Sequence, residues 1–171
     1  MVHQLTPIQI ADKANEIRKD IVRMLEHAGS GHSAGPLGLA DLVASLYFNI
    51  MHIDPKQPEK PDRDLFFLSN GHCAPVQYAA MAEAGFFPKS ELMTLRQWGS
   101  RLQGHPERTK LPGLENTSGP LGCGIGQGAG YAYALQYLDH QPHRWVYVIT
   151  GDGELNEGNI WESVMFAAKY K

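Results

Sequence analysis

Thr6 followed by Pro7 is an N-cap and first-turn pair, and Ile10, Ala14, Ile17, Ile21 and Leu25 then recur at helical spacing. The pattern predicts a long first helix ending near Gly29. Past a Gly/Ser-rich loop, Leu39, Leu42, Val43, Leu46, Tyr47 and Ile50 mark the apolar face of a second helix. Pro55 to Pro61 reads as a Pro/Lys connector. Leu65-Phe66-Phe67-Leu68 is continuously apolar and bounded by charge before it and Ser69-Asn70-Gly71 after it, as expected of a strand buried on both faces. An Ala-rich helix is expected over Pro75 to Ala84, and another over Lys89 to Arg96 capped by Ser90.

From Trp98 to Ser118 no periodicity is visible. Structureless stretches of that length are uncommon in compact domains unless they carry function, so this loop is expected to be functional. Gly122, Gly124, Gly126, Gly128 and Gly130 then lead into Ala132 and Ala134. Each glycine inside a helix costs about 1 kcal/mol against alanine, so something must approach this backbone closely. Gly122, Gly126 and Gly130 fall on one helical face, where another helix or a cofactor would sit. Arg144 to Thr150 holds the clearest strand, Trp145-Val146-Tyr147-Val148-Ile149, which ends in Gly151-Asp152-Gly153. Gly158 to Lys169 is helical again, with Ile160, Val164 and Ala167/Ala168 at helical spacing. Helices alternating with apolar strands, and a glycine turn after a strand, predict an α/β fold: a mainly parallel sheet flanked by helices.

Composition narrows the partners rather than the fold. Fifteen basic residues against eighteen acidic ones, with no basic cluster, argue against nucleic acid. No stretch approaches the roughly 18 consecutive apolar residues of a membrane helix, and Met1 to Ile10 is unlike a leader, so a cytoplasmic protein is expected. Cys73 and Cys123 stand far apart without a CxxC partner, as buried small hydrophobes would.

The glycine turn carries the candidate chemistry. Ligands of open α/β sheets bind outside the carboxyl ends of the strands. Gly151 and Gly153 let the backbone approach an anion, and Asp152 offers a hard oxygen to Mg²⁺, which is usually held by one or two carboxylates together with phosphates. Three histidines, His32, His72 and His105, follow glycine in turn-like settings. Imidazole titrates near neutrality and serves proton transfer. His3, His27, His52, His140 and His143 are read as ordinary surface residues, and Glu107 and Glu154 as capping or solvated acids.

Gly29-Ser30-Gly31-His32-Ser33-Ala34-Gly35-Pro36-Leu37-Gly38, Leu68-Ser69-Asn70-Gly71-His72, Gly104-His105-Pro106-Glu107, Ser118-Gly119-Pro120-Leu121-Gly122 and the run from Gly151 to Gly158 occur in that order. Together they closely resemble the thiamine-diphosphate-binding domain of the transketolases, from about residue 10 to the last residue. The resemblance implies Asp152 as metal ligand and Gly153 as a backbone contact to the diphosphate. It implies His72 as a diphosphate contact and Gly119, Pro120 and Leu121 as the lining of the cofactor rings. His32 and His105 would be the substrate-side histidines. Glu157 and Glu162 would lie on the helix after the turn, near a second chain, with Glu157 communicating with the partner's pyrimidine-activating glutamate.

The implied reaction transfers a two-carbon ketol unit from a ketose phosphate to an aldose phosphate, with thiamine diphosphate and Mg²⁺ or another divalent cation. The implied partners are sugar phosphates and a complementary half carrying the pyrimidine-binding domain, in a homodimer or heterotetramer. Residues 1–171 are expected to be the N-terminal part of one diphosphate-binding domain, as a fragment or as a subunit of a split enzyme. The pyrimidine-binding and C-terminal domains, the second metal side chain and the activating glutamate lie outside it, and the chain alone is expected to be inactive. Deoxyxylulose-phosphate synthase has a related domain, although Gly104-His105-Pro106-Glu107 and Ser118-Gly119-Pro120-Leu121 fit transketolase better. A non-catalytic partner that keeps the fold is the alternative of a different class.

Overall fold

A computed structural model describes residues 5–170. Helix α1 spans Pro7–Ala28; the Thr6 side chain accepts from the Gln9 amide while the Gln9 side chain accepts from the Thr6 amide. Gly29 ends it in the left-handed region. Its inward face is Ala14, Ile17, Ile21 and Met24. The Gly/Ser-rich loop carries a short helix, α2 (Ala34–Gly38), and the expected second helix follows as α3 (Ala40–Ser45), continued by a π turn over Leu46–Ile50. The widened turn moves Ile50 off the apolar stripe, and Ile50 and Leu42 are exposed.

Strand β1 (Leu65–Leu68) is buried throughout, and α4 (Ala74–Ala84) follows it almost directly. The first nine residues of α4 are all buried, so its small side chains pack against neighbours on every side. Lys89–Thr94 is a 3₁₀ helix rather than the expected α-helix, and Pro88, not Ser90, precedes it. Turns and irregular segments fill residues 95–122. Helix α5 (Cys123–Tyr133), a π turn over Ala134–Leu138, strand β2 (Val146–Ile149) and α6 (Gly158–Tyr170) complete the order.

β1 and β2 pair in parallel, Leu65 opposite Val146 through Leu68 opposite Ile149. The strand alternation sorts their side chains. Phe66, Leu68 and Ile149 enter the main core with α1, α3 and α4, whereas Leu65 and Phe67 pack with Leu135, Tyr131, Val146 and Val148 on the α5 side. The expected parallel sheet between helical layers is therefore present, with two strands among the described residues.

The glycines of α5 serve two faces. A Cβ at Gly124 would stand 2.6 Å from the Cα of Ser69, and one at Gly128 would overlap the Val148 side chain, so these two set the close approach of α5 to the sheet. Gly126 lies against Ser163 of α6, while Gly130 has open space. The expected Gly122, Gly126 and Gly130 stripe thus holds only in part, with α6 as the neighbouring helix. Among the described residues no helix is long and apolar enough to cross a membrane.

Candidate active site

Parallel pairing brings the carboxyl ends of β1 and β2 side by side, with the Ser69 amide donating to the Ile149 carbonyl at 2.9 Å. Five loops converge there. After Gly29, the Leu25 side chain occupies the space that a Cβ of Gly31 would need, and Gly31 has φ +131°; both features fit only glycine. His32 follows, and its ring centroid lies 5.1 Å from that of His72, on the short turn between β1 and α4. A Cβ at Gly71 would collide with the Ser118 side chain and come within 3.1 Å of the His105 ring carbon Cδ2. Gly71 is therefore where the second, third and fourth loops touch.

The stretch from Trp98 to Ser118 carries His105 to this point. The Tyr78 hydroxyl donates to the Gln103 carbonyl at 2.9 Å and to that of His105 at 3.4 Å, and the Ser118 amide donates to the Pro106 carbonyl at 3.1 Å. Desolvation, and then the positive fields of Arg96, His72 and His32, hold the His105 imidazole below its ordinary range. It favours the neutral form that accepts a proton.

Ala34, Gly35, Gly38, Leu39, Asn70, His72, Cys73, Leu121 and the run Thr150 to Glu154 line a cleft of about 410 Å³. Asp152 and Gly153 are exposed to it. Asn70 is buried, and its side-chain oxygen has no partner in the protein. A buried acceptor without a donor costs about 1–3 kcal/mol, so a donor from a ligand or its water is the natural complement. One wall is apolar and glycine-rich; the other presents a free carboxylate and a turn open to backbone approach. That combination fits a diphosphate-bearing aromatic group with its metal.

His32, His72 and His105 are thus brought together, and His72, Leu121, Asp152 and Gly153 line or face one cleft. Gly119 and Pro120 precede Leu121 but do not line the cleft. Glu157 lies outside it as well. It precedes α6 rather than lying on it, and its side chain packs against Gly122.

Of the two expectations for Glu154, capping and solvation, the first holds. It is 1% exposed, not solvated. Oε1 accepts from the Ser69 hydroxyl at 2.6 Å and the Gly122 amide at 2.6 Å, and Oε2 accepts from the Gly151 amide at 2.8 Å. The Ser69 hydroxyl in turn accepts from the Gly124 amide at 3.1 Å. One carboxylate therefore joins the ends of both strands to the start of α5. Glu107, by contrast, caps its own turn, accepting from the Thr109 amide and hydroxyl. Cys73 is buried as expected, whereas Cys123, at the outward first position of α5, is exposed.

Residues 10–171 match the family described as transketolase, thiamine diphosphate binding domain. A transketolase of Pongo abelii is 42% identical over 162 residues, 95% of this chain and 26% of that protein. A 6-deoxy-6-sulfo-D-fructose transketolase subunit of Clostridium sp. is 42% identical over 160 residues, 94% of this chain and 58% of the subunit. Among solved structures, the transketolase of Leishmania mexicana superposes with a TM-score of 0.86 at 37% identity, covering 95% of this chain and 25% of that one. The chain spans about a quarter of the full transketolases it matches.

Proposed function

The chain belongs to the transketolase family through its thiamine diphosphate-binding domain, and from that membership we propose that it forms part of a ketol-transfer site for sugar phosphates. The observation that carries this reading is the convergence of His32, His72, His105 and the Asp152 turn at the ends of two parallel strands.

Asp152 would hold Mg²⁺ or another divalent cation, with Gly153 giving backbone to the diphosphate and His72 donating to it. Leu121, with Gly119 and Pro120 behind it, would flank the cofactor rings, and Glu157 would face the partner. Thiamine diphosphate, once bound, supplies the electron sink that C–C cleavage of a ketose phosphate requires. The protein's own residues supply orientation and proton movement. His32 and His105 meet substrate hydroxyls, and the lowered basicity of His105 suits it to accept a hydroxyl proton and return it to the aldose.

Residues 1–171 form one part of a diphosphate-binding domain, completed by a half that carries the pyrimidine-binding domain, in a cytoplasmic homodimer or heterotetramer. The relative named as a subunit supports a divided arrangement.

Calorimetry of thiamine diphosphate with Mg²⁺ tests the assignment, on the protein with its complementary half. Metal-dependent binding is expected, at least tenfold weaker in Asp152→Ala. Metal-dependent binding by the variant with wild-type affinity would remove Asp152 from the site, and absence of ketol transfer between pentose phosphates in the wild type would sink the activity.

A further inference from the structure

We infer that Arg96 is a positioning residue of this site, its guanidinium laid across the backbones that carry His32 and His105. Arg96 follows the 3₁₀ helix and adopts φ +63°, one of two non-glycine residues with positive φ among those described. Such a conformation costs an L-residue about 1–2 kcal/mol and persists only where the surroundings impose it. Here the Arg96 amide donates to the carbonyl of fully buried Leu102 at 2.9 Å, closing the loop that leads into Gly104-His105.

The backbone so held aims the side chain at the site. A Cβ at Gly104 would stand 2.7, 3.0 and 3.3 Å from Nε, Nη2 and Cζ of Arg96, so the planar group lies against the residue before His105. A Cβ at Gly31 would stand 3.8 Å from Nη1, so the same group reaches the residue before His32. Among the described residues the guanidinium has no carboxylate or carbonyl partner, unlike Arg18, Arg63 and Arg101, each of which is ion-paired. The guanidinium lies against the two glycines that directly precede His105 and His32.

Those contacts join mechanics to charge. The titratable groups that act on His105 are Arg96, His72 and His32, with no carboxylate among them, since Glu107 turns its carboxylate to Thr109. Burial is the largest cause that lowers the basicity of His105, and the Arg96 cation adds to it, so the imidazole is kept a proton acceptor.

The role rests on placing His32 and His105 on the substrate side, but its test does not. Carbon-13 labelled histidine side chains are titrated by NMR in the protein without cofactor, for wild type, Arg96→Lys and Arg96→Met. The His105 midpoint is expected to rise toward the ordinary imidazole range in Arg96→Met and to stay low in Arg96→Lys, while His27 and His143 titrate as before. In Arg96→Lys the amide resonances of Gly31 and Gly104 are expected to shift, because the planar contact is lost although the charge remains. Should Arg96→Met fail to fold, Arg96→Gly, which suits the left-handed backbone, takes its place. An unchanged His105 midpoint without the guanidinium overturns the inference, and so does a uniform shift of all histidines. Absence of ketol transfer in the wild type, with His105 titrating as expected, would instead count against the functional reading alone.

Discussion

Replacing Glu154 tests whether one buried carboxylate holds the site together. In Glu154→Gln the amide oxygen can take the place of Oε1 and keep the bonds from the Ser69 hydroxyl and the Gly122 amide. The amide nitrogen must then face the Gly151 N–H, a donor against a donor. A hydrogen bond to a charged group contributes about 1.5–3 kcal/mol, so the loss of one, with the remaining two weakened, puts the cost at about 2–3 kcal/mol. Glu154→Ala removes all three acceptor bonds and leaves a cavity, for about 3–5 kcal/mol. A domain of this size loses about 2–4 °C of melting temperature per kcal/mol, so Glu154→Gln is expected to melt roughly 4–12 °C lower. Guanidinium unfolding with a thermal scan measures both. A cycle with Ser69→Ala adds a sharper criterion, because Ser69 relays the carboxylate to Gly124. Groups that act as a unit show a coupling of about 0.5–3 kcal/mol. If Glu154→Gln melts within about 1 °C of wild type, or if Ser69→Ala and Glu154→Ala simply add, the carboxylate is not the junction described here.

The glycines of α5 should separate by face. Gly128→Ala collides with Val148 and is expected to cost about 1–3 kcal/mol as an overpacked contact, whereas Gly130→Ala meets open space and should gain up to about 1 kcal/mol of helix propensity; equal denaturation midpoints for the two would refute the packing described. The cysteines should separate by access. Burial, with a smaller effect from Glu154, pushes the Cys73 thiol up to about 11, so it is almost wholly protonated at pH 8. Iodoacetamide followed by mass spectrometry is expected to label exposed Cys123 alone in the folded protein, and labelling of both at similar rates would contradict the burial of Cys73.

Local signals were legible and long-range ones were not. Thr6-Pro7 announces α1 because a capping box closes within four residues, and β1 and β2 announce themselves because both lie between helices and stay apolar. The π turn after Ser45 and the 3₁₀ form of Lys89–Thr94 are packing outcomes, decided by neighbours that no window of a dozen residues contains. The histidine loops could be read because each glycine is required by its own backbone or by a collision, as at Gly31 and Gly71. Their convergence follows from strand register rather than from any motif alone.

Glu154 marks the limit of such reading. Two residues past Asp152 in a glycine turn it has the local appearance of a capping or solvated acid, yet its partners Ser69 and Gly122 stand 85 and 32 positions away. A carboxylate can be buried at this depth only where donors surround it. Here those donors are the Ser69 hydroxyl directly past β1, the Gly151 amide two residues past β2 and the amide of Gly122, the residue before α5. The same three places carry the Asn70–His72 turn, the Leu121 loop and the Asp152 turn, so the buried acid at the edge of the cleft holds three of its walls at fixed spacing. Arg96 does the corresponding work for the histidine loops on the outer side. The loops that meet at the strand ends were therefore readable from the sequence, while the residues that set the distances between them became readable only in the fold.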